Sequence, residues 1–171
     1  GFLKGYKMFL QGVISRFEDR MEMFGLSACR YIEENGLHAE DFKGGKRSFI
    51  NYFYKLRDKS LDKIPDSVRK AIDNLDEWVT KKHDSSIRML IEHIYPELNT
   101  NLRESVEYYD ENLRDYVSAV LLSKNLYQLG ILNDLYGEVR DYCDEKGLML
   151  LSHTTRLLNM LIAGNDTSFL F

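Results

Sequence analysis

Apolar residues recur at helical spacing along almost the whole chain, and only two prolines and a few turn clusters interrupt them. That period favours helices over strands and predicts an all-α fold, an irregular multi-helix bundle with long helices. Tyr6, Phe9, Leu10, Val13, Phe17, Met21, Phe24, Ala28, Tyr31 and Ile32 form one seam, which predicts a first helix over 2–35 closed by Asn35-Gly36. A connector over 37–45 follows. Phe49, Tyr52, Phe53 and Leu56 stand at i, i+3, i+4 and i+7 and predict a second helix over 47–59 with one buried stripe.

Pro65 suits the first turn of a short third helix. The stretch 78–86 reads as a loop, with Ser85 or Ser86 capping a helix over 87–95 that Pro96 ends. Past Asn99-Thr100-Asn101 the pattern is helical to about 121 and continues through 122–145, with or without a kink. Gly147-Leu148-Met149-Leu150-Leu151 is a connector or one short strand near 148–151. Ser152-His153-Thr154-Thr155 then offers a cap for a last helix over 156–163. The chain closes on Phe169-Leu170-Phe171, apolar residues with nothing after them to cover them.

A length of 171 residues fits one domain, and 44% apolar with 29% charged residues is the composition of a folding chain. Cys29 and Cys143 form no CxxC pair, so neither a disulfide framework nor a thiolate zinc site is indicated, and a cytoplasmic setting is expected. No apolar run reaches the roughly 18 residues of a membrane helix, so no membrane partner is expected.

Net charge is only -4, but it is unevenly spread. Residues 43–70 carry nine Lys/Arg against three Asp, and residues 89–147 carry five basic against twelve acidic side chains. A local basic surface attracts phosphates even on an acidic protein.

Catalytic patterns are incomplete. Gly44-Gly45-Lys46-Arg47-Ser48 has Glu40 in place of the first glycine of a phosphate loop and Arg47 where Ser or Thr must follow the lysine. His38, His83, His93 and His153 form neither HExxH nor Glu-x-x-His, so no metal site is expected. Cys143 sits on an acidic helix that disfavours a thiolate. The run Glu104, Glu107, Asp110, Glu111 and Asp115, without histidine partners, reads as a solvated helix face. The spacing Arg88-x4-His93 resembles the ribonuclease motif of the HEPN family, helical proteins in which Arg and His converge on a phosphodiester, although Met89 stands where a polar residue is usual.

One segment combines cations with aromatics, Lys46-Arg47-Ser48-Phe49-Ile50-Asn51-Tyr52-Phe53-Tyr54-Lys55. Backbone phosphates call for exposed Lys/Arg, and bases stack on an exposed ring. Phe49, Tyr52 and Phe53 belong to the core stripe, which leaves Tyr54 as the stacking candidate.

The stretch from Ile32-Glu33-Glu34-Asn35-Gly36 through Lys46-Arg47-Ser48-Phe49-Ile50-Asn51-Tyr52-Phe53 resembles the helical insertion of UvrD/Rep-type helicases, in the branch of RecB- and AddA-like helicase-nucleases. So do Trp78-Val79-Thr80-Lys81-Lys82, Leu129-Gly130-Ile131-Leu132-Asn133 and Leu150-Leu151-Ser152-His153. In that family the insertion, domain 1B, interrupts the first RecA-like motor domain between its phosphate loop and an acidic Asp-Glu-x-x-Asp-type motif. The resemblance implies that 1–147 is the insertion and 148–171 starts the return into the motor, with those two motifs placed before Gly1 and after Phe171. It also implies a parent enzyme that hydrolyses ATP with Mg to move on DNA, with an associated exonuclease in part of the family. This piece would hold no cofactor or catalytic residue and would guide DNA beside the rest of the motor. Ser152-His153-Thr154-Thr155 departs from the acidic Phe-Asp-Asp-Leu-like sequence of relatives, so no role of those acids carries over.

Under this resemblance the phosphate contacts fall on Lys43, Lys46, Arg47, Lys55, Arg57, Lys59, Lys81 and Lys82, beside Tyr54 for stacking. The alternative is a helical protein-interaction module in which the segregated charge serves a protein partner.

Overall fold

The computed structural model describes residues 1–147 and 158–159, with Phe2 described by its backbone alone. The helices are α1 (Phe2–Glu34), α2 (Asn51–Arg57), α3 (Asp66–Ala71) and α4 (Ser85–Lys146), and no strand occurs among the described residues. Three single 3-10 turns, Ala39–Asp41, Gly45–Arg47 and Leu75–Glu77, shape the connections. Leu158 and Asn159 are helical, while the rest of the expected last helix and the strand near 148–151 lie outside the described residues. The chain divides into two compact units, Gly1–Ser123 and Lys124–Phe171.

In the first unit the seam of α1 is buried from Leu10 onward at Phe17, Met21, Phe24, Ala28, Cys29 and Ile32. Phe9 departs from that expectation and is 65% exposed. Asn35-Gly36 does close the helix: Gly36 takes φ 73°, and Leu37 N–H reaches back to Ile32 O at 3.1 Å.

The second helix is shorter than its periodicity suggests. Residues 45–47 form a separate 3-10 turn, because Gly44 and Gly45 both take positive φ, 91° and 54°, and turn the chain before α2 begins. The stripe itself holds, with Phe49, Tyr52, Phe53 and Leu56 all buried. Lys59 takes φ 58° just beyond the helix, and Ser60 N–H bonds Lys55 O at 2.9 Å, a left-handed stop at a position usually given to glycine.

Gly25 sets the approach of α2 to α1. A Cβ there would lie 2.7 Å from both Leu56 Cβ and Phe53 O, so only glycine admits the second helix this close. From the other side Tyr52 donates its hydroxyl to Ser105 Oγ at 3.1 Å, since Ser105 gives its own proton to Leu102 O at 2.8 Å.

Pro96 does not end a helix, and Asn99-Thr100-Asn101 does not interrupt one. Both lie inside α4. An interior proline costs about 3 kcal/mol through its missing N–H and its clash with the carbonyl four residues back. Here that carbonyl belongs to Glu92, and both Glu92 and Pro96 are exposed residues outside the core. The buried stripe Ile91, Ile94, Leu98, Leu102, Val106 and Tyr109 runs through both breaks, and at about 1.5–3 kcal/mol per large apolar side chain its burial outweighs the proline. Asn99 serves as a bridge instead, accepting from Asp73 N–H at 2.8 Å and donating to Asp73 Oδ1 at 2.7 Å.

Trp78 joins the connections to the helices. It is fully buried, donates Nε1–H to Ala71 O at 2.8 Å, and meets Phe49 and Tyr95 edge-on with centroids 4.9 and 5.1 Å apart.

In the second unit the described residues are the end of α4, its following turn at Gly147 and the pair 158–159. Cys143 is buried, and Tyr127, Leu129, Ile131, Leu135, Val139 and Tyr142 are exposed. No helix of the described residues is long and apolar enough to cross a membrane.

Candidate nucleic-acid interface

The same physics that shortens α2 presents cations beside it. The positive-φ pair Gly44-Gly45 swings Lys46 and Arg47 outward, while Ser48 turns in and is buried. Asn51 Nδ2 fixes the turn by donating to Lys46 O at 2.9 Å and Ser48 O at 3.1 Å. The segment after Lys59 is anchored by buried Ile64 and Val68, and its Lys63 and Pro65 reach the same surface. There lies an open groove of about 500 Å³, lined by Lys46, Arg47, Tyr54, Lys55, Asp58, Ser60, Asp62 and Lys63 among others.

The nine residues expected to meet DNA do not share one surface. Lys46, Arg47, Tyr54 and Lys55 come together in this groove. Lys46 and Arg47 are exposed, with no carboxylate within ion-pair distance among the described residues. Lys55 is drawn only loosely to Asp62, at 3.8 Å. One face of the Tyr54 ring is already taken by the Arg57 guanidinium, 4.9 Å from its centroid, and partial burial raises the Tyr54 pKa.

Three of the nine are engaged in ion pairs within the fold. Lys43 Nζ donates to Asp76 O and Glu77 Oε1, both at 3.0 Å, and clasps the Leu75–Glu77 turn. Arg57 reaches Glu33 on α1 at 3.4 Å and Asp58 at 3.3 Å. Lys59 pairs with Glu22 on α1 at 3.2 Å, and that bond raises its pKa. Lys81 and Lys82 are exposed on the loop before α4 and do not line the groove.

Lys63 is the residue missed by sequence reasoning. It contributes to the basic run but has no aromatic or motif beside it, and only the fold of 59–65 carries it to the groove. Ser60 and Asp62 escape notice for the same reason.

The remaining chemistry stays dispersed. Among the described residues no three or more His, Cys, Asp or Glu are gathered as a metal would need. Asp110 instead receives both guanidinium nitrogens of Arg69 at 2.7 Å, and that contact holds its carboxyl below the usual range. Arg88 is bound by Glu92 at 2.8 Å, and with about 100° of turn per residue it stands about 140° from His93 around the helix. Burial pushes the Cys29 thiol up to about 11, away from a reactive thiolate.

No protein family, curated protein or solved structure matches this chain.

Proposed function

We propose that this chain is a non-catalytic DNA-guiding domain whose groove beside α2 holds the phosphate backbone, and that it serves an ATP-dependent UvrD/Rep-type helicase or helicase-exonuclease. The observation that carries the DNA reading is the contrast within the basic segment. Lys46, Arg47 and Lys63 line one groove with no carboxylate partner among the described residues, whereas Lys43, Arg57, Lys59 and Arg69 are each tied to an acid.

Unpartnered, hydrated cations are the groups that phosphate can recruit at low cost, and such contacts are indifferent to base sequence. The assignment to a helicase rests on the sequence resemblance alone. ATP and Mg would then be held by the parent motor.

The test is titration of the full chain with labelled oligothymidylate and with a duplex hairpin over a series of salt concentrations. Changing Lys46, Arg47 and Lys63 together to Ala should weaken binding on the order of 100-fold at low salt and lower the salt slope by about 0.7 per residue on the single strand and about 0.9 on the duplex. Unchanged affinity in that variant overturns the groove as the DNA site.

A protein-interaction role draws on a different observation. Tyr127, Ile131, Leu135, Val139 and Tyr142 are exposed along one side of the end of α4, the kind of apolar surface that marks protein contact. Stable self-association or capture of a protein, with DNA binding absent at low salt, would favour that role.

A further inference from the structure

The groove contains an anion of its own. Asp62 lines it together with Lys46, Arg47, Lys55 and Lys63. Its Oδ2 lies 3.8 Å from Lys55 Nζ and accepts from Ser60 Oγ at 3.4 Å. Asp58, the other groove carboxylate, is held instead by Arg57 Nε at 3.3 Å. So the two acids differ in what they touch: Asp58 answers Arg57, a cation that also binds α1, and Asp62 answers Lys55, a cation that lines the groove.

An oxyanion placed between an ammonium and a hydroxyl has the contacts that a backbone phosphate oxygen would use. The Lys55–Asp62 pair is long, with side chains 59% and 70% exposed, a geometry that contributes little to stability. A structural tie would be shorter and better buried, as Arg69–Asp110 is shorter. A loosely held carboxylate among unpartnered cations can be displaced by a stronger anion with little loss.

On the premise that the groove binds nucleic-acid backbone, we infer that Asp62 is a placeholder for a phosphate. It occupies the Lys55–Ser60 anion position in the free protein, leaves when a strand enters, and sets the affinity of the groove by competing with it. Lys55 is thereby a latent contact: it is partly neutralised at rest and available once Asp62 moves away.

The expected sign is opposite to that for most substitutions in a binding site. Asp62→Asn should tighten binding of labelled oligothymidylate to the full chain by about two- to fivefold, the scale set by one exposed ion pair. The salt slope should steepen by about 0.7, one added contact on a single strand. Lys55→Ala should weaken binding more in the Asp62→Asn background than in the wild type, because only there is Lys55 free from the start. Asp62→Ser, which also removes the charge but is smaller, should tighten binding as well.

Equal or weaker binding by both Asp62 variants, while the Lys46, Arg47 and Lys63 triple variant still loses affinity, overturns the placeholder and leaves the groove reading standing. An additive double-mutant cycle with Lys55 overturns it too. If wild type and Asp62→Asn both fail to bind at low salt, the placeholder and the groove fall together.

Discussion

The two sides of α2 carry similar residues and meet opposite fates. On the side toward α1, Arg57 and Lys59 find Glu33 and Glu22, and Gly25 lets the backbones close up. On the groove side, Lys46, Arg47 and Lys63 find no acid among the described residues, although they come from the same basic run. Charge content alone therefore says little about where a ligand binds. A cation already held by a carboxylate must be freed before it can serve phosphate, and an unheld one need only shed water.

The closed side should respond in stability. The largest effect is expected at Gly25→Ala. Alanine would add about 1 kcal/mol through helix propensity, but its methyl would meet Phe53 O and Leu56 Cβ, and overpacking of this kind costs about 1–3 kcal/mol. Backbone atoms of α2 cannot swing aside as a side chain can, so the clash should win and lower the thermal midpoint. Gly12 lies on the same helix with nothing within 4 Å of its missing Cβ, so Gly12→Ala should raise the midpoint by the propensity gain alone. Equal shifts in the two variants would contradict the close approach of α2.

A smaller effect is expected under alkali. Burial pushes the Tyr52 hydroxyl up to about 12, and burial together with the bond to Glu18 at 2.9 Å does the same to Tyr116. Because both pKa values are raised on folding, the folded chain keeps these protons longer than the unfolded one. Their contribution is complete below the unfolded value near 10 and is lost as pH rises toward 12. Denaturant unfolding followed from pH 9 to 12 should show that fall in the wild type, and a shallower one in Tyr52→Phe and Tyr116→Phe.

Much of the fold was legible in sequence because it follows from local periodicity. The seams of α1 and α2, the Asn35-Gly36 stop and the loop after Trp78 all rest on residues within one or two turns of each other. Pro96 misled because its cost is local, whereas the burial that outweighs it comes from a stripe extending to Tyr109. Phe9 misled in the opposite way: it fits the period of its helix, yet it lies on a part of α1 that remains exposed.

The candidate site was half legible for a related reason. The basic run and its cluster at Lys46, Arg47 and Lys55 can be read from composition. The partners that remove Lys43, Arg57 and Lys59 from the available set cannot, because Glu77, Glu33 and Glu22 lie far away in sequence. Lys63 joins the groove only through the path of the chain between Lys59 and Pro65.

The most direct measurement sets two triple variants side by side in the full chain, Lys46, Arg47 and Lys63 to Ala against Lys43, Arg57 and Lys59 to Ala, each titrated with oligothymidylate at low salt and melted thermally. Both remove three positive charges. The first should lose most of its affinity and keep its midpoint, while the second should lose stability and, where still folded, keep affinity within a few-fold. Equal loss of affinity in the two would show that net charge alone governs binding and would contradict the division between held and unheld cations.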